Sequence, residues 1–373
     1  MAWPLTPQEL HAIVEVYAGF GNHHTGTPAD QATTTWLVDL LRSQGATVVN
    51  DAFEFDRFDC QAELRVDGEV VPSVPVFYSA TGEFLTRDLA VVELPAEGSG
   101  NARGIDRPLA DAPDADAVIL ALDGPDDLPV QCNRVPSRPG GSGRPAVIIP
   151  ANWVERVRSG PADLAFSATV EPGRSANVIA AFGAPDSPEV NVTTPLTGWT
   201  PAAGERGTGL AAAIAMAIDL SADYSVTLSA CSGHELDHLG LHHYLAARDV
   251  SERPAIHLGA SVAATEPEST GPEQLGARRI VLTTATGELR EVLTDRVRDA
   301  NWTLVDAEAW GGEGGTWREA GASVLSFLGS STVFHTTADT PQRATTPEAL
   351  VLATDVAIDA ARLFLAESDR PDG

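Results

Sequence analysis

The sequence predicts an α/β protein: a mixed, mostly parallel sheet with helices on both faces, carrying an inserted β-rich subdomain. After Arg174, apolar runs of strand length alternate with amphipathic or alanine-rich runs of helix length, the pattern of strands sharing one helix-covered sheet. From about 54 to 173 the chain instead reads as short strands punctuated by proline and glycine. A length of 373 residues suits one large unit with a smaller insertion. The division expected is 1–53 for the opening helices and first strand, 54–173 for the insertion and 174–373 for the main unit.

Residues 6–20 and 29–44 carry apolar positions at helical spacing, and Thr27-Pro28-Ala29-Asp30 is a helix start with proline in the first turn. A strand is expected near Ala46–Val49, then a hairpin in which Asp67-Gly68 joins two alternating runs between Ala62 and Val71. The stretch 136–144, rich in proline, glycine and serine, is expected to be the least ordered. Strands follow at Asn177–Phe182, Glu189–Thr193, Ser225–Ala230, 255–262, 279–285 and 323–328, with helices at 208–220, 287–299 and 347–366.

Composition removes several function classes. With 52 acidic against 24 basic residues and a net charge of −28, the surface repels phosphate backbones and anionic headgroups, so neither nucleic acid nor membrane is an expected partner. No basic region followed by an apolar core opens the chain, and the expected location is cytoplasmic. Cys60, Cys132 and Cys231 are too few and too scattered for a disulfide framework or a thiolate zinc site. All 24 basic residues are arginine. Without lysine there is no Schiff base, no pyridoxal-phosphate attachment and no P-loop amine.

In open α/β sheets ligands bind beyond the carboxyl ends of strands, and three such loops hold ionisable groups. The first, from Thr193 to Gly209, contains Trp199 and places Glu205 and Arg206 at a helix start, where they serve a substrate's polar group or simply complement the helix and each other. The second, from Cys231 to His243, packs His234, Glu235, Asp237, His238, His242 and His243 together. His234-Glu-Leu-Asp-His238 matches the zinc-protease pattern, but the preceding strand and the flanking glycines argue against the continuous helix that pattern needs. The third is His335-Thr-Thr-Ala-Asp339, whose histidine is open to use as ligand, acid/base or turn residue. His23 and His24 cap the second helix or reach the site, with capping the expected use, and Trp310 and Trp317 flank the loops as further pocket candidates.

Over most of residues 174–366 these elements, in this order, resemble the co-catalytic zinc aminopeptidases of metallopeptidase family 28, a group that includes bacterial leucyl aminopeptidases and, as relatives, glutaminyl cyclases. Ser175–Ala180 is similar to the strand entering the family's catalytic domain; Pro201–Gly209 to its Pro-Gly-Ala-Asp-Asp-Asn-Gly-Ser-Gly segment; Gly233–Gly240 to Gly-Glu-Glu-x-Gly-x-x-Gly; and His335–Thr340 to His-Thr-x-x-Asp-Thr. The resemblance implies two zincs held by a histidine and a bridging aspartate, a glutamate, a second aspartate and a late histidine. Those positions hold Pro195, Gly204, Glu235, Gly259 and His335, and the general-base glutamate is replaced by His234. Loss of the bridging carboxylate implies that no dinuclear site forms and that at most one zinc is retained, on Glu235 and His335.

Three readings follow. In one the old cleft is an enzyme of altered chemistry, with His234 as acid/base, Glu235, His335 and Glu205 as partners, and Arg206, Trp199, His238, Trp310 and Trp317 around a small-molecule or short peptide-like substrate. The others are a mononuclear zinc amide or peptide hydrolase, with Glu235, His335 and either His234 or His238 as ligands and water in the open position, and a non-catalytic binding protein. No nucleotide or pyridoxal phosphate is expected.

Overall fold

The computed structural model describes residues 5–94, 105–133, 143–265 and 278–368. Two helices open the chain, α1 (Pro7–Gly19) and α2 (Pro28–Ser43). Thr6 starts α1 through a capping box, its hydroxyl accepting from Glu9 N at 3.2 Å while its own N–H donates to the Glu9 carboxylate at 2.6 Å. Thr27 caps α2 by accepting from Asp30 N, so His23 and His24, expected as caps, are released for other contacts.

Strand β1 (Thr47–Val66) is far longer than its first apolar residues suggest, because it pairs antiparallel with β8 (Ala162–Phe182) along its whole length, from Thr47 opposite Ala181 to Val66 opposite Ala162. The expected hairpin closes at Asp67-Gly68, both left-handed at φ 52° and 82°, onto β2 (Glu69–Val71). Between these lie β3 (Val74–Pro75), β4 (Gly82–Thr86), β5 (Leu89–Glu93), α3 (Asp106–Asp111), β6 (Ala117–Leu122), β7 (Ala146–Pro150) and α4 (Val154–Ser159). They form a four-stranded sheet, β3-β7-β6-β5, whose last three strands are parallel; β4 instead joins β8. β1 and β8 run unbroken through 53/54 and 173/174. Most of the glycine-rich stretch 136–144 lies outside the described residues.

The rest builds the large sheet: β9 (Glu189–Pro195), α5 (Thr208–Leu220), β10 (Ser225–Cys231), α6 (Leu239–Ala246), β11 (Pro254–Leu258), β12 (Arg279–Thr283), α7 (Gly287–Arg298), β13 (Thr303–Leu304), α8 (Glu313–Glu319), β14 (Ser323–Gly329), α9 (Pro341–Ala344) and α10 (Pro347–Ser368). Its order is β13-β12-β14-β11-β9-β10-β8-β1-β2. The four central strands, β14-β11-β9-β10, are parallel, while β12 and β8 flank them antiparallel. The parallel centre is buried on both sides, so every residue of β9 after Glu189 is buried, Asn191 and the threonines included. Val178 and Ala180 join the core with α1, α2, α5, α7 and α10, and Ile179 between them joins the opposite core with α6 and α8. All but Ile218 and Asp219 of α5 are buried, as a helix needs when it is wedged between a sheet and other helices. The carboxyl ends of β9, β10, β11 and β14 therefore open on one edge, where the three candidate loops meet. Among the described residues no helix is long and apolar enough to cross a membrane.

Candidate functional site

The loop after β9 enters α5 through a wide turn at Ala203–Gly207, preceded by Ala202 in the left-handed region at φ 49°. The Asp339 carboxylate holds that turn, accepting from Gly204 N at 2.6 Å and from Glu205 N at 3.0 Å. The turn directs Glu205 and Arg206 inward, leaving them 0% and 1% exposed. Arg206 Nε donates to Thr197 O at 2.9 Å, and Nη2 lies 2.7 Å from Glu205 Oε1. The same oxygen is 3.1 Å from His335 Nε2. Neither terminal nitrogen of Arg206 makes an aligned hydrogen bond to protein, so the pairing rests on charge and proximity. Burial pushes Glu205 up, but Arg206 and then His335 outweigh it and hold the carboxyl below its ordinary value. His335, left-handed at φ 59°, is locked by a reciprocal contact: Nδ1 is 2.8 Å from Gln131 O, and Gln131 N donates to His335 O at 2.9 Å.

The loop after β10 splits its ionisable residues in opposite directions. Gly233 is left-handed at φ 80°, His234–Leu236 form one tight turn, and Asp237 and His238 are left-handed at 60° and 61° before α6 begins at Leu239. His234 and His238 thus do not share a helix, and the zinc-protease arrangement is not formed. Glu235 is fully buried and turns toward the amino-terminal loop. Its Oε1 accepts from Thr25 N at 2.7 Å, Thr25 Oγ1 at 2.6 Å and His24 Nδ1 at 3.2 Å, and its Oε2 accepts from Thr197 Oγ1 at 2.8 Å. Burial alone would raise this acid; the hydrogen bond and charge of His24 and the bonds from Thr25 win, bringing it to about 2. Glu235 is a clamp joining three loops.

His234 turns the other way, with Nδ1 3.1 Å from Oε1 of Glu313, the first residue of α8. Burial, helped by Glu235 and opposed by Arg206, pushes the Glu313 carboxyl up to about 8. Burial first, then Arg206, His238, His257 and His335, keep the His234 imidazole well below its ordinary value and neutral. His238 Nδ1 is 2.8 Å from Thr316 Oγ1, and its ring centroid is 4.8 Å from that of His234. On β11, His257 is buried with Nδ1 2.8 Å from Ser326 Oγ and is lowered to about 3 by burial, His238 and Arg206.

Three members of this cluster, Glu313, His257 and Asp339, were not among the expected site residues. Glu313 had a signal, a lone acid inside Gly311-Gly312-Glu313-Gly314-Gly315. A Cβ on Gly314 would stand 2.6 Å from Ser326 Oγ and 2.9 Å from His257 Nδ1, so this glycine lets α8 approach β11 closely. His257 lies inside an apolar strand and gave none.

Trp199 stacks on His24 at 4.8 Å and 11°, meets Phe77 at 4.5 Å, and donates from Nε1 to Asn133 Oδ1 at 2.6 Å. With Phe58, Gln131, His24 and His335 it lines a cavity of about 340 Å³. Trp310 lines a different cavity beside Arg318, and Trp317 is sealed in the core with Nε1 3.2 Å from Thr193 Oγ1; neither is placed with the charged cluster.

The residues present do not fit a zinc pair. Pro195 offers no donor. A Cβ on Gly204 would come 2.8 Å from Ala344 Cβ and 3.0 Å from Asp339 Oδ1, and one on Gly259 would come 2.3 Å from Leu328 Cδ2 and 2.7 Å from His257 Cε1; packing has closed over both positions. Nor do Glu235 and His335 present a shared face for one ion, since four donors hold the first and Gln131 and Glu205 the second. Among the described residues, no three His, Cys, Asp or Glu side chains are arranged to hold a metal.

No family model and no curated sequence matches the chain. Solved structures do. BSAP, a zinc aminopeptidase from Bacillus subtilis, is similar at a TM-score of 0.74 and 16% identity over 98% of this chain and 96% of that one. A peptidase M28 precursor from Shewanella amazonensis gives 0.71 and 13% identity over 97% and 94%. The glutaminyl cyclase of Porphyromonas gingivalis gives 0.50 and 12% over 96% and 98%. This chain has the fold of the M28 zinc aminopeptidases.

Proposed function

We propose that the chain is a metal-independent acid/base catalyst on a hydrolase scaffold, with His234 moving the proton and a small polar or apolar, peptide-like molecule as substrate. One observation carries the reading: the His234 ring is 12% exposed while its Nδ1 faces a fully buried carboxyl, Glu313. A buried acid behind one ring nitrogen fixes the ring and its tautomer and leaves Nε2 for chemistry. The pair titrates as a unit. Below about pH 8, the value to which Glu313 is raised, Glu313 keeps its proton and donates it to Nδ1, so Nε2 carries a proton and acts as an acid. When the pair loses one proton, Glu313 is a carboxylate, the remaining proton sits on Nδ1, and Nε2 accepts a proton from an attacking water. Returning that proton to the leaving group restores the starting state.

The second reading, a binding protein, is favoured by a different fact: Glu205, Glu235 and His335 are each at most 1% exposed, and the Glu235 carboxylate is fully engaged by four protein donors. A single-zinc hydrolase is the weaker alternative, because its ligand pair is engaged elsewhere. The test is hydrolysis of aminoacyl p-nitroanilides and acyl esters in the presence of EDTA by wild type, His234→Ala and Glu313→Gln. Turnover that survives EDTA and is lost in His234→Ala supports the proposal. Turnover intact in His234→Ala refutes it, and turnover abolished by EDTA and restored by zinc favours the hydrolase. A panel with no turnover leaves the binding protein.

A further inference from the structure

We propose that the guanidinium of Arg206 is a built-in counter-cation that balances the buried Glu205 carboxylate by charge, in the role a bound metal ion would otherwise play. The inference is independent of whether His234 catalyses anything.

Four acids, Glu205, Glu235, Glu313 and Asp339, are fully buried around the loops after β9, β10 and β14, and Glu235 is answered by its own four donors. Among the described residues only two arginines are buried, Arg206 and Arg279, and the second sits on β12 near Trp302. Arg206 is thus the permanent positive charge of the cluster, and its field reaches Glu205, Glu313 and Asp339 as well as His234 and His257. The contact geometry is that of a point charge. Nη2 is 2.7 Å from Glu205 Oε1, yet neither Nη1 nor Nη2 forms the aligned fork that guanidinium groups favour with carboxylates. Oε1 lies between this cation and His335 Nε2 at 3.1 Å. The stem is fixed by the bond from Nε to Thr197 O at 2.9 Å, which leaves the charge no route to solvent. The two positions where the resemblance implies metal-binding aspartates are glycines with no room for a side chain. One arginine supplies positive charge and no longer needs those carboxylates.

The experiment compares thermal melting of wild type, Arg206→Ala, Arg206→Lys and Glu205→Gln/Arg206→Ala in EDTA, then with methylguanidinium, and separately without EDTA in zinc chloride, with urea at the same concentration as a neutral control. Removing one partner of a buried pair strands the other, so Arg206→Ala should melt about 5 °C below wild type. Glu205→Gln should restore most of that loss. Methylguanidinium or zinc should raise Arg206→Ala and leave wild type and the double variant unmoved, while urea should do nothing for any. If Arg206→Ala does not fold, folding of both Arg206→Lys and the double variant supports the proposal, and failure of both overturns it by making packing rather than charge the role of the side chain. It is also overturned if Glu205→Gln deepens the loss, if neither cation raises Arg206→Ala, or if wild type itself requires zinc for its full stability.

Discussion

Glu235→Ala separates a structural clamp from a metal ligand. The substitution leaves four donors, His24 Nδ1, Thr25 N, Thr25 Oγ1 and Thr197 Oγ1, without the acceptor they share. Hydrogen bonds to a charged group contribute about 1.5–3 kcal/mol each, and a stranded buried donor costs about 1–3 kcal/mol. The losses are not additive, because Thr25 and Thr197 also bond to each other at 3.0 Å, and the carboxylate's own burial cost is recovered. The net expectation is a loss of about 4 kcal/mol. In urea unfolding with a slope of about 3 kcal/mol/M, the midpoint should fall by roughly 1 M. The loss should be the same with and without EDTA, because it comes from the loop clamp. A midpoint within about 0.2 M of wild type, or a loss seen only when metal is present, would refute the reasoning and return Glu235 to the role of ligand.

Other outcomes follow from the same geometry. Gly204→Ala should cost about 1–3 kcal/mol by overpacking against Ala344, and Gly204→Asp more, since it sets a second carboxyl against Asp339; a Gly204→Asp variant that keeps wild-type stability and binds zinc stoichiometrically would contradict the closed packing. Glu313 and Asp339 are raised from 4.5 and 3.8 to about 8 and about 7, so their contribution is whole below the unfolded values and is lost as pH rises through 7 and 8. Glu235, lowered to about 2 from 4.5, contributes above 4.5 and loses its share as pH falls toward 2. Urea midpoints should therefore be higher at pH 5 than at pH 8.5, with the gap narrowed in Glu313→Gln; a midpoint that rises with pH would reverse these assignments. Thr27→Ala should cost about 1 kcal/mol through the lost α2 cap, and its crystal structure should show His24 loosened, since the Thr27 hydroxyl also donates to His24 O at 2.6 Å.

Much of the fold was legible because its signals are local. The alanine-rich run at 208–220 and the apolar runs before Thr193 and Ala230 carry period and length, and Asp67-Gly68 carries turn chemistry. The length of β1 was hidden, since residues 50–61 alternate only weakly and are held extended by pairing with β8, more than 100 positions away. At the site, the histidine- and acid-rich loops marked the right strand ends, but which way each side chain turns was not readable. Adjacent His234 and Glu235 go to α8 and to the amino-terminal loop because Gly233, Asp237 and His238 take left-handed backbone on either side of one tight turn. His24 joins the site from the opening loop, freed by the Thr27 cap.

The paired strands β1 and β8 also have a use in protein engineering. A piece excised at 54 and 173 would cut both strands between their ends and strip each remnant of its partner's hydrogen bonds. Cutting at the hairpin turn Asp67-Gly68 and at Pro161, where Asp67 N donates to Pro161 O at 3.0 Å, leaves both strands whole. Those two chain positions are close enough for a short peptide to join them, so the intervening segment could be exchanged for another domain with β1 and β8 left paired, and the exchange would remove the Gln131 backbone that locks His335.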